Sequence, residues 1–180
     1  MIELIASALP MGKMKNCNHK LVLGVVEMEM PEVIAYFITW TCYGTWLPGD
    51  ERGWNDWHQG WKNPDPKMVE YAQSLMTEEA VALTAAQRFV VETTIYEHCR
   101  IRKWHIWASN CRTNHLNTVI TANGYDGAIV RDQLKAWCTR KLKARSNIIK
   151  KNWWIEGGFV KKIYTEDDLA AAIQYTNDAQ

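Results

Sequence analysis

The order in which extended and helical patterns alternate along the chain is its strongest constraint on the fold. Val33 to Thr41, His105 to Cys111 and Leu116 to Thr121 are rich in β-branched and aromatic residues, which predicts three strands. Between the first two, a capping-box sequence at Thr84 to Gln87 starts a stretch with helical spacing that extends to Arg102. The first two thirds of the chain therefore predict strand, helix, strand, strand.

A second amphipathic stretch follows the turn at Asn123-Gly124, with apolar residues recurring at helical spacing: Ile129, Val130, Leu134, Trp137, Cys138 and Leu142. Phe159 to Tyr164 predicts a short strand, and the capping sequence from Thr165 predicts a last helix from Glu166 to about Asp178. The complete string is typical of an α+β, ferredoxin-like split β-α-β fold. We expect an antiparallel sheet with helices on one face, plus a C-terminal helix.

Two segments stand apart from this pattern. Residues 1–30 show no strong periodicity, so we expect an extension, disordered or upstream of the true start, before a domain at 31–180. Residues 42–68 are a long loop rich in tryptophan, where turn-forming residues predict no regular element: Gly44, Pro48, Gly49, Gly53, Gly60, Pro64 and Pro66. Its tryptophans either pack within the loop or stack on unpaired bases. A short helix is predicted from Pro66 to Met76.

Composition narrows the classes of function. Lys+Arg 21 against Asp+Glu 20 leaves a formal charge of +1, so a nucleic-acid partner must be argued from local patches. Five scattered cysteines without a C-x-x-C pair disfavour a disulfide framework and a zinc ribbon. No stretch approaches about 18 consecutive apolar residues, so we expect a cytoplasmic protein without a membrane partner.

The sequence His115-Leu116-Asn117 carries the candidate chemistry. Strand side chains alternate, so His115 and Asn117 point to one face and Leu116 to the other. An imidazole and a carboxamide side by side suit a divalent cation, although such a pair at a strand start is more often structural. In the last helix, Leu169 and Ile173 form an apolar stripe from which Tyr175 projects away.

The stretch from Arg112 to Ile120 resembles that of the single-tyrosine HUH transposases, in the REP-associated tyrosine transposase branch. There, R-T-N precedes His-hydrophobic-His, and Asn117 takes the place of the second histidine. The resemblance extends, in family order, to three further blocks: Thr41 to Gly53, Leu134 to Arg140 and Tyr164 to Asp168.

This resemblance implies an enzyme that nicks and rejoins single-stranded DNA through a 5′-phosphotyrosine intermediate, weakened by the substitution at Asn117. It implies Tyr175 as the nucleophile, Mg²⁺ or Mn²⁺ held by His115, Asn117 and Gln180, hairpin or palindromic DNA as partner, and a nucleoid-associated monomer or homodimer. DNA-binding residues are then expected among the basic side chains Arg112, Arg131, Lys135, Arg140, Lys141, Lys143 and Arg145.

Other readings are open. Some members of the family carry a tyrosine at the place of Trp137, but the setting of Tyr175 in the last helix matches the nucleophile better, and we assign Trp137 to the core stripe. An inactive relic or domesticated protein that binds DNA hairpins without cutting them is the alternative function. An RNA-binding module of the RRM type needs aromatic residues on the third strand, and Leu116 to Thr121 has none.

Overall fold

The computed structural model describes residues 31–56, 58–145 and 150–178; the expectations for residues 1–30 and for Gln180 lie outside them. The elements in chain order are β1 (Ala35–Thr41), β2 (Trp54–Asp56), β3 (Gly60–Lys62), α1 (Pro66–Ser74), α2 (Ala85–Arg102), β4 (His105–Cys111), β5 (His115–Thr121), α3 (Gly127–Arg145), β6 (Phe159–Ile163) and α4 (Glu166–Asp178). Within these ranges, no helix is long and apolar enough to cross a membrane.

The main sheet has the strand order β4-β5-β1-β6, and every neighbouring pair is antiparallel. Strands β1 and β4 both pair antiparallel with β5, so they run parallel to each other and are joined through α2. This is the split β-α-β arrangement, and the predicted α+β fold is confirmed.

Helices α2 and α3 pack together on one face of the sheet. The hydroxyl of Thr84 accepts from Gln87 N at 3.2 Å, and Gln87 Oε1 accepts from Thr84 N at 2.9 Å, so the predicted capping box starts α2. The core between these helices and the sheet includes fully buried side chains such as Ile38, Trp40, Val91, Ile95, Leu116 and Leu134. Each contributes about 1.5–3 kcal/mol by burial.

Helix α4 lies on the opposite face. Its Leu169 belongs to a second buried cluster, whose other members come from the four strands of the sheet: Ala35, Ala108, Val119 and Ile163. Within Glu166–Asp178 the buried residues are Leu169 and Thr176, so α4 docks through a much smaller apolar area than α2 or α3.

The prediction of no regular element in residues 42–68 is wrong, because β2 and β3 form a hairpin there. The turn residues shape the hairpin. The carboxylate of Asp56 accepts from His58 N and Gln59 N at 2.8 Å each. Gly53, just before β2, and Gly60, at the start of β3, adopt positive φ.

The assignment of Trp137 to the core stripe of α3 is also wrong. The buried positions in this helix are Gly127, Val130, Leu134, Cys138 and Leu142, whereas Ile129 and Trp137 are 51% and 40% exposed. Val130, Leu134, Cys138 and Leu142 follow at i, i+4 spacing and mark the face that meets the sheet. Trp137 lies at the margin of this face, and Ile129 points to the far side of the helix.

Candidate active site

The sheet face under α4 divides into a polar and an apolar half. Leu116 and Ile120 pack towards α2 and α3, while Val119 packs under α4, so His115 and Asn117 share the α4 face. Thr41 pairs with His115 and Thr39 pairs with Asn117 on β1. On the other side, Arg112 N donates to His115 O at 2.8 Å and Asn110 pairs with Asn117. We call the following six side chains, five on three adjacent strands and Arg112 just after β4, the polar grid: Arg112, His115, Thr41, Asn110, Asn117 and Thr39.

His115 is half-buried, and its Nδ1 lies 2.8 Å from Asn114 Oδ1. A carbonyl oxygen there favours the tautomer with hydrogen on Nδ1, which leaves the Nε2 lone pair available. Burial lowers the pKa of His115, and the charges of Arg112 and Arg52 lower it further. The imidazole is therefore neutral at pH 7, the form that ligates a cation.

Asn117 is 3% exposed, and its Oδ1 is an oxygen donor of the kind that Mg²⁺ and Mn²⁺ accept. Nearby, Thr41 Oγ1 is buried and has no hydrogen-bond partner within the described part of the chain, so a further oxygen beside His115 is uncommitted. Across residues 31–56, 58–145 and 150–178, no three His, Cys, Asp or Glu side chains form a metal-binding group. The residues fit a hard divalent cation, but with a donor set that depends on neutral oxygens.

Tyr175 lies on α4 and is 59% exposed. Its ring meets Phe37 edge-on, with the ring centroids 5.7 Å apart and the planes at 77°. Phe37 pairs with Val119, two residues along each strand from the Thr39–Asn117 pair. The structure thus brings Tyr175 to the same sheet face as His115 and Asn117, beside the polar grid.

Asn110 holds the end of α4 that carries the tyrosine. Its Nδ2 donates to Thr176 O at 2.9 Å, and this carbonyl belongs to the last turn, where helix carbonyls have no partner within the helix. A β-bulge between Ile106 and Ala108 shifts the facing of β4 so that Ala108 and Asn110 face α4. Sequence reasoning missed this bond because it joins residues 66 positions apart.

Arg52 connects the tryptophan-rich segment to the site. Its guanidinium binds Asp50 at 2.7 and 2.8 Å and Thr45 O at 3.0 Å, and it stacks over Trp46. Thr45 Oγ1 in turn donates to Asn114 O at 3.1 Å, next to His115. The segment from Thr41 to Gly53 therefore supports the position of His115 through its contact with Asn114. Its sequence alone did not reveal this role.

Two of the predicted DNA-binding residues on α3 are engaged with the chain itself. Arg131 Nη1 donates to Gly158 O at 3.0 Å, and Lys135 Nζ donates to Ile155 O and Gly157 O at 2.6 Å each. Burial, followed by the charge of Arg131, lowers the pKa of Lys135 to about 8.

The other predicted basic residues of α3 are more accessible. Arg140 stacks over Trp137 at 4.9 Å, Lys141 lies 3.5 Å from Glu97, and Lys143 and Arg145 are exposed. All of α3 lies on the sheet face opposite the polar grid, so of the predicted DNA-binding residues Arg112 is the one beside His115.

A helix-borne tyrosine beside a strand-borne histidine and asparagine suits attack by a phenol next to a cation site. A solved REP-associated tyrosine transposase, bound to a REP hairpin, resembles this chain with a TM-score of 0.50 at 12% identity, over 86% of this chain and 70% of that one. A candidate transposase from Deinococcus radiodurans R1 has a TM-score of 0.43 at 12% identity, over 80% and 88%. No protein-family profile and no curated protein matches the sequence. The first likeness shows a shared fold.

Proposed function

We propose that this chain is a transposase that nicks and rejoins single-stranded DNA through a 5′-phosphotyrosine intermediate on Tyr175. The observation that carries the proposal is that Tyr175 lies on the sheet face that presents His115 and Asn117. The helix that bears Tyr175 is bound to this face by the hydrogen bond from Asn110. The shared fold with a transposase bound to a DNA hairpin supports a hairpin-bearing DNA as substrate.

In this mechanism His115 Nε2 and Asn117 Oδ1 would hold Mg²⁺ or Mn²⁺, with Gln180 as a further expected ligand. The cation, when bound, supplies polarisation of the scissile phosphate. Arg112, beside His115, attracts the same phosphate through its positive charge.

The Tyr175 phenol loses its proton to solvent and attacks phosphorus. A bond forms between the Tyr175 oxygen and phosphorus while the bond from phosphorus to the 3′ oxygen breaks. The departing oxygen takes a proton from solvent, which leaves a 5′-phosphotyrosine and a free 3′-hydroxyl. Attack by a 3′-hydroxyl in the reverse direction rejoins the strand. Because Tyr175 packs on Phe37 of its own chain, this arrangement does not need a homodimer.

The test is the formation of a covalent adduct between the purified chain and hairpin-bearing single-stranded DNA in Mn²⁺, resolved on a denaturing gel. We expect an adduct that Tyr175→Phe abolishes and that Tyr96→Phe keeps, since Tyr96 is a comparably exposed tyrosine on α2. Asn117→His should lower the Mn²⁺ requirement by about 10- to 100-fold, the range of affinity that is typically lost when the support of a metal ligand is removed. The absence of an adduct at every metal concentration, from both the native chain and Asn117→His, contradicts the proposal.

The second candidate function is a hairpin-binding protein that does not cut. It is favoured by the neutral donor set, in which the described residues contribute one histidine and a carboxamide that is 3% exposed. The exposed basic residues of α3 then bind phosphates, and affinity falls steeply with salt. Tight, salt-sensitive binding that is the same with and without Mn²⁺, without adduct, selects this function.

A further inference from the structure

Strand β6, at the edge of the sheet, presents a large apolar side chain to solvent beside the candidate active site. Phe159 is 57% exposed and pairs with Thr39, which in turn pairs with Asn117. Phe159 therefore lies on the face that carries the polar grid, in the same row as Asn117 and Asn110. An exposed aromatic ring next to a row of polar side chains is not explained by packing within the described residues.

The backbone that leads into Phe159 is firmly held. Gly158 has a φ of 134°, and a Cβ at this position would lie 2.8 Å from Thr39 O, so the approach requires glycine. Arg131 and Lys135 fix the carbonyls of Gly158 and Gly157 from α3. The ring of Phe159 is thus presented by a segment with little freedom, which reduces the entropy lost when a ligand binds to it.

The spacing fits a nucleic-acid strand that crosses the sheet. Phe159 is two strands from Asn117, roughly 10 Å at the usual spacing of neighbouring strands. A strand whose phosphate lies at His115 and Asn117 has a neighbouring base within reach of Phe159. Lys161, 56% exposed on the same face of β6, adds a positive charge along this course, although it also contacts Asp168.

We propose that Phe159 is a stacking position for an unpaired base that flanks the scissile phosphate of single-stranded DNA. This inference rests on the proposed function. Phenylalanine has no hydrogen-bonding group, so it stabilises the base by stacking and favours bases with large π-faces over a particular hydrogen-bond pattern. The sequence predicted that Arg131 and Lys135 contact DNA. In this proposal they affect DNA binding indirectly, because they hold the backbone that positions Phe159.

The experiment uses the full chain, without divalent metal, and hairpin DNA that carries 2-aminopurine at successive positions of its single-stranded flank. We expect quenching of the fluorophore at one position when the chain binds. Phe159→Ala and the strand-compatible Phe159→Thr should abolish this quenching and weaken binding by about ten-fold, in the range for the loss of one stacked base. Phe159→Trp should keep both. Phe89→Ala removes a 66% exposed phenylalanine from α2 and should change neither.

Unchanged affinity and quenching in Phe159→Ala overturn the inference. So does an equal loss of quenching at every position, because it indicates a general defect in binding. If the native chain forms the Tyr175 adduct and these results are found, the proposed function stands and the stacking position fails. If the native chain binds no hairpin DNA, both fail together.

Discussion

Two fully buried threonines differ in whether their hydroxyls are bonded, and this difference predicts opposite effects of the same substitution. Thr176, in the last turn of α4, is 0% exposed, and its Oγ1 has no hydrogen-bond partner among the residues that the structure describes. Thr118, on β5, is also 0% exposed, but its Oγ1 donates to Ala108 O at 3.0 Å. Valine has nearly the same shape as threonine, so Thr→Val at each site isolates the hydroxyl.

At Thr176 the substitution removes an unpaired buried hydroxyl, whose burial costs about 1–3 kcal/mol. We expect Thr176→Val to raise the free energy of unfolding by about 1 kcal/mol. At Thr118 it breaks a bond and leaves Ala108 O without that donor, and we expect a loss of about 1–2 kcal/mol. For a chain of this size each kcal/mol moves Tm by about 2–4 °C, so the two variants should differ by several degrees.

Urea unfolding of the native chain and both variants, followed by circular dichroism, measures the two changes in stability, and thermal unfolding checks their signs. The reasoning is refuted if Thr176→Val loses as much stability as Thr118→Val. That result means that the Thr176 hydroxyl has a partner in solution, and that the last turn of α4 is held by more than the bond from Asn110.

Three further predictions follow from single contacts. Asn110→Ala should speed hydrogen exchange in the last turn of α4 and slow adduct formation several-fold, with exchange in α2 unchanged. Burial, followed by the charge of Arg102, lowers the pKa of His98 below its ordinary value near 6.5, so its contribution to stability is present above pH 6.5 and is lost as pH falls below it. In urea unfolding, the free energy of unfolding should fall less between about pH 7.5 and about pH 5.5 for His98→Gln than for the native chain. Lys135→Met should lower Tm by several degrees because two carbonyls lose their donor, whereas the exposed Lys143→Met should leave Tm unchanged and reduce the salt dependence of DNA binding.

The elements of the fold were largely predictable because their signals are local. The capping box at Thr84 predicts the observed start of α2, β5 begins one residue before the predicted Leu116, and α4 has the predicted bounds. The hairpin in the tryptophan-rich segment was not predicted, since glycines that end a strand and glycines that exclude one look alike in sequence.

The site was predictable in part, for a different reason. The alternation of side chains along a strand places His115 and Asn117 on one face, but it does not indicate which helix covers that face. The contact of Asn110 with α4 and the position of Phe159 next to Thr39 depend on pairings between distant parts of the chain. Charge alone also failed to separate Lys135, which bonds the chain's own carbonyls, from exposed lysines of the same helix.

The two faces of the sheet have different consequences for how such a chain changes under mutation. The large core with α2 and α3 sustains the fold, while the polar grid and the small contact of α4 lie on the other side. A substitution among the grid residues alters the candidate site without changing a side chain of the large core under α2 and α3. Under the proposed function, the site and the large core therefore respond separately to mutation, because they occupy opposite faces of the sheet.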